Sequence, residues 1–552
     1  MEEQKTWTIV QERQLLLNLA ADAQPDYATP IVAAIVNGRI RDLQDYGVKG
    51  DEISFIEENT PTGWNIYQRS VLFLLITAIS ELYPGVEVTA KFTANKGLFC
   101  EVAGKEWILD GGRTKRIAKA MKRIAREDRV IRKQSLTREA AVKLFEQEHQ
   151  NAKASLIASL SQKQVSIYSC GGCKDYLYGA MVPRSGLLEE FAVDYEAPGL
   201  LIRTPDMTTG GKVHPLVRQP KLSHMLAESK EWAHILHCSY VSDLNRLNRE
   251  GKIDEVIRVS EALQEKHIAR IADYVAAHRD RIRLVLIAGP SSSGKTSFAQ
   301  RLRVQIRTNG LVPVSISLDD YFKNREDTPK TPEGKYDYES LRALDTDLFN
   351  QNMLDLMNGK EVQLPTYNFV TGEREWDDKK KIVLGAGQPV IVEGIHGLNE
   401  ELSASIPRDK KLKIYISALA QLNIDAHNRV PTTDARLLRR LVRDKQFRDS
   451  SAEKTLLQWP DVRAGEERNI FPYQEDADVM FNSALIYEIG VLKRYARPIL
   501  EEVKADSPAY TEAQRLLDFF QYFDDITAEN DIPNNSLLRE FIGHSVFFKE
   551  QW

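Results

Sequence analysis

The sequence predicts an α/β fold in which helices flank a parallel sheet around a phosphate-binding P-loop, preceded by two α+β domains. The loop is the clearest indication, because Gly289–Thr296 reads G-x-x-x-x-G-K-T between the apolar run Leu284–Ala288 and a helical pattern. The length of 552 residues also exceeds what one hydrophobic core supports. The third observation is that short strand patterns mixed with helical patterns fill the first half, before the loop.

The predicted elements of the first half begin with a β-hairpin. The apolar run Ile31–Val36 predicts a buried strand, and Asn37-Gly38 favours a tight turn into the strand Arg39–Leu43. A strong helical pattern covers Trp64–Tyr83. Residues 113–133 combine many Lys and Arg with apolar residues, including Val130, at helical spacing. This pattern predicts either the solvated face of an amphipathic helix or an RNA-binding face.

Short strands and turns are predicted over 155–203, and charged helices over about 225–280. Beyond them, the apolar runs Leu284–Ala288, Leu311–Leu318 and Pro389–Val392 predict strands of the parallel sheet. The carboxyl ends of such strands face the ligand crevice, so polar residues that follow them are candidate site residues.

The phosphate loop carries the chemistry of the phosphate donor. Its glycines let backbone N–H groups curl toward a polyphosphate at a helix N-terminus. Lys295 is expected to reach the β- and γ-phosphates of a nucleoside triphosphate, and the Thr296 hydroxyl to hold Mg²⁺. The predicted nucleotide-binding residues are Gly289, Pro290, Ser291, Ser292, Ser293, Gly294, Lys295, Thr296 and Ser297.

Two carboxylates follow predicted strands. Asp319 comes after Leu311–Leu318, where it can take the proton of an attacking hydroxyl or cap a helix. Glu393 comes after Pro389–Val392, the place for an acidic group that orients Mg²⁺. Further along, Arg436–Asp444 places several arginines on one helix, either to clamp phosphate charge under a mobile lid or as a solvated helix. No N-K-x-D motif is present, which disfavours a GTPase.

Residues 281 to about 490 resemble the uridine–cytidine kinase branch of the uridine kinase/phosphoribulokinase family. The segments that carry the resemblance are, in order, Gly289–Ser297, Asp319–Lys323, Gly334–Glu339 with Ala343–Asp345, Leu364–Arg374, Val392–Ile395, the arginine helix and Ala477–Val479. The resemblance implies a kinase that uses ATP and Mg²⁺. It places Asp319 at the general-base position, Arg440 and Arg443 at the catalytic lid positions, and Tyr336, Glu339, Tyr367 and Arg374 around the acceptor.

The chain departs from this family at the acceptor side and near the lid. The family's pyrimidine-contacting His falls on Gly372, and one lid arginine falls on Ser450. An insertion of roughly Asn423–Thr433 precedes the arginine helix. Loss of an edge-reading hydrogen-bond group can alter specificity strongly, so the base of the acceptor stays open.

Residues 1 to about 220 resemble the N-terminal part of threonyl-tRNA synthetase. The Val36–Gly38 hairpin matches its TGS domain, and Leu136–Phe145 and Asp175–Pro183 match its editing-type domain. The four metal or editing positions of that domain are replaced, and they fall on Arg69, Phe73, Leu177 and Met181. Leu, Met and Phe cannot supply the usual zinc ligands, so we expect no editing catalysis.

The resulting domain prediction is a TGS-like domain over 1–62 and an editing-type domain without metal ligands over 63–222. A helical linker over 223–280, a P-loop nucleoside kinase domain over 281–490 and a helical extension over 491–552 follow. Uridine kinase relatives are commonly oligomeric, so the resemblance also implies a homo-oligomer.

Composition narrows the class of protein. Hydrophobic content of 42% and charged content of 28% are typical of a soluble globular chain, and the net charge of −5 disfavours a nucleic-acid-coating role. No apolar run reaches the roughly 18 residues of a membrane span. Four cysteines form no disulfide framework, which favours the cytoplasm. The lone pair Cys170–Cys173 is interpreted as a structural turn rather than a zinc or redox site.

These features favour ATP-dependent phosphorylation of the 5′-hydroxyl of a nucleoside. A kinase for another small alcohol, such as a phosphorylated sugar, is the second hypothesis. The third is an ATP-binding regulator that contacts RNA or senses a ligand through the synthetase-like half.

Overall fold

The computed structural model describes residues 6–94, 96–331 and 334–548. Within these ranges no helix is long and apolar enough to cross a membrane. The predicted fold class is confirmed: a parallel five-stranded sheet flanked by helices follows domains built on antiparallel sheets. The division into domains at particular residues stays a prediction.

The N-terminal hairpin belongs to a four-stranded antiparallel sheet. Its elements are β1 (Trp7–Thr8), β2 (Arg13–Leu15), α1 (Leu16–Ala23), β3 (Ile31–Val36), β4 (Arg39–Arg41), β5 (Tyr46–Val48) and β6 (Glu52–Glu57). The strand order is β1-β6-β3-β4, with β2 and β5 paired separately. Asn37 and Gly38 both adopt positive φ, 48° and 74°, as the predicted tight turn requires.

The next region wraps two antiparallel sheets around a long helix. Its elements are α2 (Pro61–Leu82), β7 (Glu87–Ala94), β8 (Gly97–Ala103), α3 (Gly111–Arg126), β9 (Arg132–Thr137), α4 (Arg138–Gln147), α5 (Asn151–Ser159), β10 (Gln164–Cys170), β11 (Cys173–Asp175), β12 (Ala192–Glu196) and β13 (Gly199–Arg203). The sheets have the orders β12-β13-β8-β7 and β11-β10-β9. Most of α2 is buried, which explains its continuous apolar sequence.

The basic segment 113–133 is helical only in part. Helix α3 starts where the Asp110 side chain accepts the N–H of Arg113, and it ends at Arg126. Asp128 then adopts a φ of 51°, and Val130 lies outside the helix with 58% of its surface exposed. The prediction that Val130 belongs to the helix is therefore wrong, because α3 ends at Arg126 and the chain turns before Val130 toward strand β9.

Three helices connect this region to the parallel sheet: α6 (Pro220–Ile235), α7 (Val241–Arg249) and α8 (Ile253–Ala277). The second half then contains β14 (Leu284–Ala288), α9 (Lys295–Thr308), β15 (Val314–Ser317), α10 (Thr346–Met357), β16 (Val362–Asn368), β17 (Glu373–Ile382), β18 (Val390–Glu393), β19 (Lys411–Ser417), α11 (Thr432–Phe447), α12 (Ala452–Asn469) and β20 (Val479–Asn482). Helices α13 (Glu488–Glu501), α14 (Tyr510–Phe519) and α15 (Arg539–Ile542) complete the chain.

The parallel sheet has the strand order β15-β18-β14-β19-β20. Every residue of the central strand β14 is fully buried, as expected for a parallel strand covered by helices on both faces. In the register of the ladder, Glu393 at the end of β18 lies level with Ser317 of β15 and Ile287 of β14. This register sets the positions of the three segments that follow these strands.

Candidate active site

The phosphate loop leaves the carboxyl end of β14 and leads into α9. A Cβ on Gly289 would lie 2.0 Å from the carbonyl oxygen of Ile416, so only glycine fits there. Gly294 has a φ of 83°, a conformation that side chains other than glycine's rarely adopt. Helix α9 begins directly at Lys295, which leaves its first N–H groups facing the crevice.

Lys295 folds back over its own loop. Its ammonium group donates to the carbonyl oxygens of Gly289, at 2.9 Å, and Pro290, at 3.2 Å. Burial lowers the pKa of Lys295, while the nearby carboxylates, Glu393 first among them, act in the opposite direction. The Ser292 and Ser293 hydroxyls are buried and have no hydrogen-bond partner among the described residues. Such orphaned donors in a loop fit a ligand rich in oxygen acceptors.

Asp319 and Glu393 lie on neighbouring strand ends, as the sequence predicted for residues that follow parallel strands. Burial raises the pKa of Glu393 to about 7; the Lys295 charge and hydrogen bonding from Thr296 act to lower it, and Asp319 acts to raise it. Burial also raises the pKa of Asp319, with the Lys295 charge opposing this. The Asp319 side chain nevertheless faces solvent on its open side, so an acceptor can reach it.

The predicted acceptor residues divide into two groups. Burial raises the pKa of Glu339, and the charges of Lys295 and Arg440 act to lower it, so these two cations are close enough to interact with its carboxylate. Tyr367 is buried with its ring 5.5 Å from that of Phe322. Arg374, in contrast, is engaged by the Asp345 carboxylate at 3.0 Å and by the Phe322 carbonyl at 3.0 Å. Its guanidinium therefore fastens the β16–β17 hairpin to the Asp319 segment.

Tyr336, the remaining predicted acceptor residue, has no contact with the phosphate loop among the described residues. It is 39% exposed, and the Lys330 ammonium lies 5.2 Å from its ring centroid.

The arginine helix α11 packs directly on the loop. Arg440 donates to the Ser291 hydroxyl at 2.9 Å, whereas Arg443 donates to Asp444 at 2.7 Å. Arg436 and Arg439 are 1% and 0% exposed, and each forms a buried ion pair, with Glu466 and Glu488 respectively. The alternative of a solvated helix is wrong. Its movement as a lid stays a prediction.

Two carboxylates in the site were missed by the sequence analysis. Glu466 of α12 accepts the Ser291 N–H at 2.8 Å, and Glu540 of α15 accepts the Ser297 N–H at 3.2 Å and its hydroxyl at 2.7 Å. Neither residue belongs to a motif or follows a sheet strand. Each reaches the loop only through tertiary packing, so the sequence contains no signal that could have identified them.

The four replaced positions of the synthetase-like half do come together in space. Phe73, Leu177 and Met181 are buried in one apolar cluster, and Arg69 donates to the Ala180 carbonyl at 2.7 Å. Cys170 and Cys173 are buried partners across the β10–β11 hairpin and form no disulfide. In the described part of the chain, no group of three or more His, Cys, Asp or Glu side chains is arranged to hold a metal ion.

The insertion before α11 binds this same region. We call residues 423–431 the docking segment. Its Asn428 accepts the Tyr178 N–H at 2.7 Å and donates to the Tyr176 carbonyl at 2.9 Å. Its His427 approaches Asp175 at 2.6 Å and the Val88 carbonyl at 3.1 Å. The docking segment therefore connects the synthetase-like half to the helix that carries the site arginines.

The residues present fit a nucleotide with Mg²⁺. Mg²⁺ in phosphoryl-transfer sites usually takes one or two carboxylates and substrate phosphates, not a cage of protein ligands. Thr296 and Glu393 form such a hydroxyl–carboxylate pair at the loop. Buried unpartnered hydroxyls at Ser292 and Ser293 add acceptor-seeking groups beside it.

Comparisons with known proteins show which families the two halves of the chain resemble. The model of the "Phosphoribulokinase / Uridine kinase family" matches residues 284–488. A uridine kinase of Saccharomyces cerevisiae is 28% identical over 267 residues, 48% of this chain and 48% of the yeast protein. A threonine–tRNA ligase of Francisella tularensis subsp. novicida is 28% identical over 175 residues, 32% of this chain and 27% of the ligase.

A solved structure described as a possible uridine kinase from Bacillus stearothermophilus matches with a TM-score of 0.27 and 18% identity, over 39% of this chain and 98% of that chain. The chain spans about half or less of the curated relatives described above. The resemblances to uridine kinases and to threonyl-tRNA synthetase are both confirmed. The family model covers residues 284–488, a segment that contains the phosphate loop, Asp319, Glu393 and the arginine helix α11.

Proposed function

We propose that the protein is a kinase that transfers the γ-phosphoryl group of ATP to the 5′-hydroxyl of a nucleoside. The observation that carries the proposal is the convergence of Lys295, Asp319 and Glu393 at neighbouring strand ends. The charge of each of these residues shifts the pKa of at least one of the others, which supports their assignment to one site. An ammonium group, a base and a metal-orienting carboxylate are the parts that phosphoryl transfer needs.

Asp319 acts as the general base in this proposal. Its carboxylate accepts the proton of the 5′-hydroxyl as the oxygen attacks the γ-phosphorus. Its surroundings raise the pKa of Asp319, chiefly by desolvation, which makes its carboxylate a better proton acceptor than an aspartate of ordinary pKa. Its solvent-facing side leaves room for the acceptor.

Lys295 and Arg440 stabilise the negative charge that spreads over the transferred group. Both lie at the loop: Lys295 on the carbonyl of Gly289, and Arg440 on the Ser291 hydroxyl. Arg443 now pairs with Asp444 and completes the clamp when that pair opens. Thr296 and Glu393 would hold Mg²⁺, which would supply positive charge to neutralise the phosphates.

The acceptor lies beside Glu339 and the β16–β17 hairpin in this proposal. Glu339 hydrogen-bonds ribose hydroxyls, and Tyr367 packs beneath the base. At the tip of the hairpin Phe369 is 60% exposed, which leaves an aromatic face for a planar ring. Gly372 offers no side chain to read a base edge, so the proposal covers nucleosides as a class and no particular base.

A panel of acceptors tests the proposal. Purified protein receives ATP and Mg²⁺ with each of several nucleosides, sugar phosphates and polyols, and ADP release is measured together with the mass of the phosphorylated product. The proposal expects a nucleoside 5′-monophosphate. Turnover with a sugar phosphate alone would instead establish the second kinase hypothesis.

The regulator hypothesis has its own outcome in the same experiment. ATP binding without stimulation by any acceptor, together with tRNA binding, would favour it. Assembly as a homo-oligomer and residence in the cytoplasm stay predictions, and sedimentation of the purified protein tests the former.

A further inference from the structure

The C-terminal segment closes over the phosphate loop from outside the family-matched region, which ends at residue 488. Leu537, Leu538 and Phe541 are fully buried. The Leu537 side chain lies 3.8 Å from where a Cβ on Gly294 would stand, and the Arg439 guanidinium lies 5.0 Å from the centroid of the Phe541 ring. The segment around α15 therefore packs beside the phosphate loop through buried side chains, and we call it the wall of the loop.

Glu540 extends from this wall onto the first turn of α9. Its Oε2 atom accepts both the N–H and the hydroxyl of Ser297. The first N–H groups of a helix have no partner within the helix, and they are the donors that bind anions at a phosphate loop. The next N–H in the chain, that of Phe298, already donates to the Gly294 carbonyl at 3.0 Å. Glu540 thus occupies the last donor of the loop that a phosphate can reach.

Glu540 interacts electrostatically with the Glu393 carboxylate and with two cations, Lys295 and Arg448. Glu540 acts with Asp319 to raise the pKa of Glu393, so these carboxylates repel one another in the absence of a cation. Its charge is also felt by Lys295 and by Arg448 at the end of α11. The ion pair of Arg448 with Asp444 is long, at 3.7 Å, so Arg448 is a weakly paired cation whose charge interacts with that of Glu540.

The backbone that carries Glu540 is held independently of this contact. Arg539 donates to the carbonyls of Glu529 at 2.8 Å and Ile532 at 2.9 Å, and the Ser536 hydroxyl donates to Glu261. Loss of the Glu540 carboxylate therefore leaves the wall in place. Only the side chain has to move for the Ser297 donors to become free.

We propose that Glu540 is a built-in competitor of the nucleotide: its carboxylate occupies the Ser297 donors in the absence of ligand, must leave them when a polyphosphate binds, and thereby weakens affinity for ATP. The inference rests on the proposed function in so far as the loop binds a nucleoside triphosphate. It adds a determinant of donor affinity that lies outside the kinase-family domain.

The test is direct binding of ATP, measured by calorimetry with the full-length protein. Removal of the competing charge in Glu540→Gln, and of the whole carboxyl in Glu540→Ala, is expected to tighten ATP binding roughly three- to thirtyfold, the range of charge interactions at a helix N-terminus. Inorganic tripolyphosphate should show the same gain. Glu501→Gln, on the exposed surface of α13, is the matched control and should leave affinity unchanged.

A purely structural cap makes the opposite prediction. In that case both variants would bind ATP with equal or lower affinity than the wild type, and Glu540→Ala would lower the melting temperature more than Glu540→Gln. Equal affinity in wild type and variants overturns the inference and leaves the kinase proposal standing. Absence of ATP binding in all of these proteins overturns both.

Discussion

The phosphate loop and the synthetase-like half differ in the side chains that stand at their predicted functional positions. At the loop, Lys295, Asp319 and Glu393 keep ionisable groups at a solvent-accessible edge of the sheet, with pKa values shifted by burial and by one another. In the synthetase-like half, Phe73 and Leu177, two of the positions at which the sequence analysis placed replaced ligands, are buried in an apolar cluster. Ionisable side chains therefore stand at the predicted positions of the first region, and apolar side chains at these two positions of the second.

The docking segment gives the second region a different use. Asn428 and His427 contact Tyr176, Tyr178 and Asp175, so this surface of the synthetase-like half faces another part of the same chain. Helix α11 begins at Thr432, directly after this segment, and carries the arginines of the kinase site. The loop region thus carries the ionisable groups of the candidate site, whereas the synthetase-like half contacts the segment that leads into α11.

The largest expected effect tests whether catalysis is confined to the loop region. Asp319→Asn keeps the shape of the side chain but cannot accept the hydroxyl proton, so kcat should fall about 10²- to 10⁴-fold, the usual contribution of a general base. Steady-state kinetics with ATP and the best nucleoside measure it. Asp320→Asn is the neighbouring control, and near-normal turnover of Asp319→Asn would show that the base lies elsewhere.

A second prediction concerns the cost to protein stability of ionising Glu393 in the loop region. The pKa of Glu393 is raised from 4.5 to about 7, so the folded state favours its protonated form. The stability that this gives is complete below pH about 4.5 and is lost as the pH rises through about 7. In the absence of Mg²⁺, the wild type should lose roughly 3 kcal/mol of unfolding free energy relative to Glu393→Gln across that range.

Denaturant unfolding of both proteins at pH 5 and pH 8 measures this difference. Added Mg²⁺ and ATP should reduce it, because ligands that bind the ionised carboxylate stabilise the folded state. A difference between the two proteins that does not change with pH would contradict the raised pKa.

The sequence predicted the residues of the phosphate loop and the strand ends better than it predicted the contacts that hold other elements against the loop. The motif, Asp319 and Glu393 follow from strand ends, since the register of parallel strands places their carboxyl ends together. Glu466 and Glu540 did not, because their contacts with Ser291 and Ser297 join elements separated by 175 and 243 residues. The insertion was visible in the sequence, but its partner Tyr178 was not, because a loop that supplies hydrogen bonds to backbone groups leaves no side-chain pattern.

The third prediction concerns a variant that removes hydrogen bonds between the docking segment and the synthetase-like half. Asn428→Ala leaves the partly buried Tyr178 N–H and the buried Tyr176 carbonyl without their side-chain partner, which should cost about 2 kcal/mol of stability. We expect KM for ATP to rise more than kcat falls, because α11 is displaced from the loop while Asp319 is untouched. Asn309→Ala, whose amide donates to Asp273 on the surface, is the control.

Calorimetric melting and steady-state kinetics of the two variants decide the matter. Unchanged kinetics in Asn428→Ala together with a lowered melting temperature would make the docking segment a purely structural contact. The two regions would then be neighbours without functional connection.

The smallest expected effect concerns the exposed basic face of α3. Lys115 and Lys119 point to solvent on a helix that belongs to the synthetase-like half. Charge reversal at both positions should change nucleoside phosphorylation by less than about twofold, because surface substitutions rarely shift free energies by more than about 0.5 kcal/mol. Binding of tRNA at low salt, followed by filter retention, should weaken in the same variant if this face contacts RNA. Equal tRNA binding by both proteins would reject the RNA-contact prediction for α3, and a large loss of kinase activity would show that this half does more than position α11.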